Sequence, residues 1–112
     1  MKATYWQRGE TIDYVNNGAA VIAAGTVVSL NTCIGIAGTD IAVGETGSLH
    51  IMGVFYLPKG SGAITLGAKV YYDSSNDVVT TTASANVPVG WVVEAAAADA
   101  EKVLVKLSNP AA

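Results

Sequence analysis

From residue 11 to residue 107 the chain punctuates itself every few positions. Short runs rich in Val, Ile, Thr and Tyr alternate with clusters of Gly, Asn, Asp and Ser. This pattern admits few folds. β-Branched and aromatic runs suit strands, and small polar clusters suit the reversals between them. The 3.6-residue period of an amphipathic helix is nearly absent. The predicted strands are TIDYV (11–15), AAVI (19–22), TVVSL (26–30), CIGIA (33–37), SLHIMGVFYLP (48–58), AKVYYD (68–73), VVTTT (78–82), VPVGWVVEA (87–95) and KVLVKL (102–107). Asn31–Thr32 and Ser74–Asp77 read as hairpin turns. Short strands at regular spacing predict an all-β fold, a small single-domain β-sandwich or barrel.

Three stretches need closer reading. EAAAADAEK (94–102) has high helix propensity but only nine residues, so we expect a loop with one helical turn. AGTVVSLN (24–31) and LGAKVYYD (66–73) echo each other, and we read the echo as ordinary hairpin grammar rather than a duplication. In SLHIMGVFYLP, taken as the longest strand, Leu49, Ile51, Gly53, Phe55 and Leu57 share one face. His50, Met52, Val54 and Tyr56 share the other. A strand apolar on both faces is central to a closed barrel or covered by a second subunit. His50, Met52, Val54 and Tyr56 are therefore the candidate oligomer contacts.

At 112 residues, the chain is long enough for one domain with one core. Residues 1–11, MKATYWQRGET, lack alternation and read as an extended N-terminal arm before a β-rich domain over 12–112. The SNPAA tail reads as a frayed end. Only 13% of residues are charged, against about a quarter in ordinary globular chains, as expected either of a surface covered in an assembly or of a small domain rich in Ala, Val and Gly. Net charge is −3, and the six cations are scattered along the sequence, which argues against nucleic-acid binding. No signal-peptide core is visible, nor an uninterrupted apolar run of membrane-spanning length, so no membrane partner is expected. Cys33 is the only cysteine. It excludes an intrachain disulfide and reads as a small buried hydrophobe.

Catalytic readings fail on chemistry. The VGETGS loop (43–48) looks like a phosphate-binding glycine loop. Yet the Walker register from Gly38 puts Val43 where the second glycine belongs and Gly44 where the lysine belongs. Glu45 would repel phosphate, and a strand follows where a helix should. His50 is the sole histidine and has no G-x-S-x-G elbow to serve, so it reads as a surface or interface residue. Asp73 and Asp77 flank a turn and suit its capping. We expect no catalytic residues, no cofactor, no metal and no small-molecule substrate.

In order, the chain carries GETIDYVNNGAAVIAAGTVVSL, VGETGSLHIMGVFYLPK, LGAKVYYD and VPVGWVVEAAAADAEKVLVKL. This order resembles a family of small tailed-phage and prophage proteins that act as capsid cement, or head decoration. The family is often labelled predicted phage recombinase. The resemblance implies a β-rich domain, made in the host bacterial cytoplasm, that oligomerises, commonly as trimers. On the capsid exterior of the virion it would lock neighbouring major capsid protein subunits together. Tyr5, Trp6 and Arg8 of the arm are the candidate capsid contacts, being of the residue types enriched at interface hot spots. Two other readings compete. One is a receptor- or glycan-binding module using Tyr56, Tyr71 or Trp91. The other is a DNA-binding recombination accessory protein, which a missing Walker loop disfavours.

Overall fold

A computed structural model describes residues 1–108; residues 109–112, most of the SNPAA tail, lie outside the described residues. The strands are β1 (Thr11–Val15), β2 (Val27–Ser29), β3 (Ile34–Ala37), β4 (Thr46–His50), β5 (Gly53–Pro58), β6 (Lys69–Asp73), β7 (Val78–Thr80), β8 (Val87–Glu94) and β9 (Lys102–Leu107). They form two antiparallel sheets, ordered β1-β4-β3-β2 and β5-β9-β8-β6-β7. The all-β expectation holds. A single parallel bridge from Lys59 to Val79 brings β7 back to the end of β5, so the second sheet curls towards a barrel.

Three expectations are corrected. AAVI is not a strand, and only Ile22 pairs, in an isolated bridge with Ile41. EAAAADAEK forms no helical turn. It makes a tight reversal closed by Ala100 N donating to Ala97 O (3.1 Å), and Ala96 is drawn into a bridge with Ile64. Nine residues of helix propensity lose to two flanking strands that must meet. SLHIMGVFYLP is two strands in different sheets. β4 pairs with β1 and β3, while β5 pairs with β9. The change of sheet occurs between them, where Gly53 takes a φ of +119°, which a side-chain-bearing residue resists. The longest strand is instead β8, with eight residues.

The two sheets are built alike. Without β7, the order β5-β9-β8-β6 repeats β1-β4-β3-β2 strand for strand. Each half also bears two matching turns. Thr26 N donates to Ala23 O, Glu45 N to Ala42 O, Ala68 N to Thr65 O and Ala100 N to Ala97 O, all at 3.0–3.2 Å. Gly25, Gly44 and Gly67 fill the third position of three of them with φ between +81° and +86°. Gly25 N reaches Ala37 O at 2.7 Å, and its counterpart Gly67 N reaches Val92 O at 2.7 Å. The echo between 24–31 and 66–73 is thus a repeat of architecture. β7 is an addition to the second half alone, and it leaves β1 and β2 as open edges of the first sheet.

The only two buried polar residues among those described, Asn16 and Lys59, stand at matched places after β1 and β5. Asn16 N donates to Glu45 O and Lys59 N to Glu101 O, both at 2.9 Å. Asn16 Nδ2 donates to Ala20 O and Ile41 O. Lys59 Nζ donates to Gly60 O, Gly62 O and Ala98 O. Different side chains thus pin the same loop in each half, and no buried polar side-chain atom among the described residues lacks a partner.

Two cores result. Ala37, Ile41 and Leu49 centre the smaller one, inside the first half. The larger one gathers Leu57, Ile64, Val70, Val89, Val92, Val103, Val105 and Leu107 of the second half with Ile34 and Ile36 of β3. The first half therefore docks on the second through the outer side of β2 and β3.

Candidate functional site

The glycine loop that resembles a phosphate cradle is spent on the fold. Gly44 N donates to Asn16 O (2.8 Å), and Glu45 N closes its own turn on Ala42 O. A phosphate site needs amides that point outward and unengaged. The loop is the second of the four matched turns, and its function is reversal.

Asp73 and Asp77 serve the β6–β7 turn, as expected. Asp73 Oδ1 accepts from Ser75 N (3.0 Å) and Asn76 N (3.4 Å), and its Oδ2 accepts from Asn76 Nδ2 (2.7 Å). The Asn76 side-chain bond leads in holding the Asp73 carboxyl below its ordinary pKa. Asp77 holds a φ of +55° and accepts from the Tyr72 hydroxyl at 2.8 Å. Burial first, and then the Asp77 carboxylate, push that hydroxyl above its ordinary value.

Cys33 is half-buried rather than enclosed. It lines an apolar groove of about 380 Å³ between the halves, with Ile12, Leu30, Ile51, Met52 and Lys106. His50 is also half-buried. Its ring centroid lies 6.0 Å from that of Phe55, tilted by 49°. Among the described residues no three His, Cys, Asp or Glu side chains gather as metal ligands would.

The candidate interaction residues fall in three places. Tyr5 and Trp6 are 83% and 85% exposed, and Arg8 is exposed beside them. Within this segment Gln7 Nε2 donates to Thr11 O (3.1 Å). Met52 sits at the rim of the groove, and His50 lies on β4 with its ring beside Phe55, in the other sheet from Val54 and Tyr56. Val54 and Tyr56 are exposed on the outward face of β5.

Sequence reasoning missed what that face contains. Cross-strand registers align Val54 with Lys106, Lys106 with Trp91 and Trp91 with Lys69, one row across four strands. The next row joins Tyr56, Leu104 and Glu94. Three scattered lysines, Lys69, Lys102 and Lys106, therefore converge on one sheet face with Trp91 and Tyr56. The period-2 alternation of KVLVKL gave the only hint.

This architecture has an acidic, cation-free first half, a basic aromatic face on the second and an exposed aromatic N-terminal segment. A family model described as phage cement protein matches residues 6–107 of the chain. The chain belongs to the phage cement protein family. The cement-family match spans both halves and all nine strands, so the repeat belongs to the matched region. No curated protein and no solved structure matches this cement protein.

Proposed function

We propose that this cement protein binds the outside of an assembled phage head and stabilises it by bridging neighbouring major capsid subunits, without catalysis. The family match over residues 6–107 carries the reading. Its physics is mass action. A protein that binds the closed shell but not the separated subunits shifts the balance towards the shell. Linking copies into a homo-oligomer, a trimer in our reading, multiplies weak contacts into avidity.

Two surfaces divide the work. Tyr5, Trp6 and Arg8, exposed ahead of β1, contact capsid subunits. Met52, Val54 and Tyr56, with His50 behind them, mark the side where copies meet. The test uses heads lacking the protein. Purified protein should co-sediment with them and raise their resistance to heat. Removal of residues 2–9 should weaken co-sedimentation while leaving thermal unfolding of the free protein unchanged. Heads that neither bind the protein nor gain heat resistance would refute the reading.

A further inference from the structure

The cations of the folded body are confined to one half, while carboxylates occur in both. Residues 11–50 contain Asp13, Asp40 and Glu45 and no Lys or Arg. Residues 53–108 contain Lys59, Lys69, Lys102 and Lys106 beside Asp73, Asp77, Glu94, Asp99 and Glu101, of which Glu94 shares the outward face in the Tyr56–Leu104 row. Lys59 is buried, and the other three point outward from the same sheet face. An acidic chain thus keeps every exposed cation of its folded body on one surface, around Trp91 and Tyr56.

The repeat shows what such a face is fitted to do. Registers match Trp91 of β8 to Ile36 of β3, and Lys69 of β6 to Val27 of β2. In the first half the β3–β2 part of this side is covered by protein, while its β1 end stays exposed. Ile36 is only 5% exposed, and Val27 packs on the larger core. In the second half the same side is open, with Trp91 40% and Tyr56 65% exposed.

We propose that this open face docks on the first half of a second copy of the chain, head to tail. The acceptor is the outer side of β1. Asp13 and Val15 are exposed there on one face, while Ile12 and Tyr14 turn inward to the small core. The Asp13 carboxylate beside an exposed valine complements lysines flanking exposed aromatics. The two surfaces differ, so the contact is heterologous and repeats from copy to copy, ending in a ring where the rotation closes. Five strands spaced about 4.8 Å apart and some six residues long offer on the order of 400 Å². That is about half of what each partner gives to a standard stable interface, so one contact alone is weak and a closed ring or a capsid surface reinforces it. The inference rests on the homo-oligomer reading above and names its surfaces.

The experiment measures mass in solution by light scattering and sedimentation at rising concentration, beside co-sedimentation with heads. Wild type should associate, and high salt should weaken the association. Lys69→Glu with Lys106→Glu should weaken it at least tenfold, as should Asp13→Lys. All three changes together should restore much of it. Tyr56→Ser, at a well-exposed position, should also weaken association and serves if a charge variant fails to fold. Wild type monomeric at every concentration would overturn both the oligomer and these surfaces, leaving head binding to be judged separately. An associating wild type whose mass ignores all of these changes would overturn the surfaces alone. So would variants that keep their mass but lose head binding, or lose a DNA mobility shift, since the face would then serve a capsid subunit or nucleic acid.

Discussion

Replacing Lys59 by methionine isolates the buried ammonium group. Lys59 is 6% exposed, and Nζ donates to Gly60 O (2.9 Å), Gly62 O (2.8 Å) and Ala98 O (3.2 Å). Methionine keeps an unbranched stem of similar reach, so packing changes little. Three hydrogen bonds from a charged donor are lost, each contributing about 1.5–3 kcal/mol. The several kcal/mol spent on burying the charge are recovered. Three carbonyls remain without a donor, and the net loss is about 2–3 kcal/mol. For a domain of this size that lowers Tm by roughly 10–20 °C. Urea unfolding should show a lower midpoint at unchanged slope. Lys102→Met, at an exposed β9 position, is the control and should stay within about 0.5 kcal/mol of wild type. If Lys59→Met matched that control, the ammonium would not hold the loop after β5, and the comparison with Asn16 would fail.

Two further outcomes follow from local geometry. A Cβ on Gly90 would collide with the Lys106 carbonyl oxygen and come within 3.1 Å of Ser108 N, so Gly90→Ala must part β8 from β9. We expect a loss of more than about 3 kcal/mol, read as a lower thermal midpoint, whereas Gly62→Ala meets no atom within 4 Å and should cost far less despite its φ of +95°. The β6–β7 turn should loosen at both ends of the pH scale. Asp73, with its pKa lowered by folding, supports the fold above the ordinary carboxylate range and loses that support as pH falls through its folded value. Tyr72, with its pKa raised, gives its full support below about 10 and loses it as pH rises through its folded value. Tyr72→Phe should flatten the alkaline limb of Tm against pH, and Asp73→Ala the acid limb.

What was legible in the sequence was what is decided locally. Ser74–Asp77 and Asn31–Thr32 reverse the chain through their own side chains and backbone preferences, so both hairpins could be read directly. The sheet change at Gly53 could not. Alternation runs unbroken from Leu49 to Leu57, and buried Leu49 and Leu57 still obey it, each in a different core. Which neighbour a strand takes is a tertiary choice that leaves no mark on period 2. The repeat showed only where glycine recurs. Asp99 occupies the fourth turn without a glycine, and Asn16 and Lys59 share a task but no chemistry. The lysine face was hidden for a similar reason. Lys69 and Lys106 lie 37 positions apart in the sequence, and the order β9-β8-β6 places one on each side of Trp91.

The extra strand β7 carries a consequence for solubility. It covers β6 and bridges back to the end of β5 at Lys59, while β1 and β2 are the terminal strands of the first sheet with no such bridge between them among the described residues. Bare flanks are templates on which further chains can add without limit, the route to fibres and precipitate. β2 offers only three residues for such growth, but β1 offers five. Asp13, at the middle of β1, sets a negative charge against any second β1 laid alongside in antiparallel register, so uncontrolled stacking is opposed where regulated docking is proposed. One carboxylate would then separate orderly assembly from aggregation.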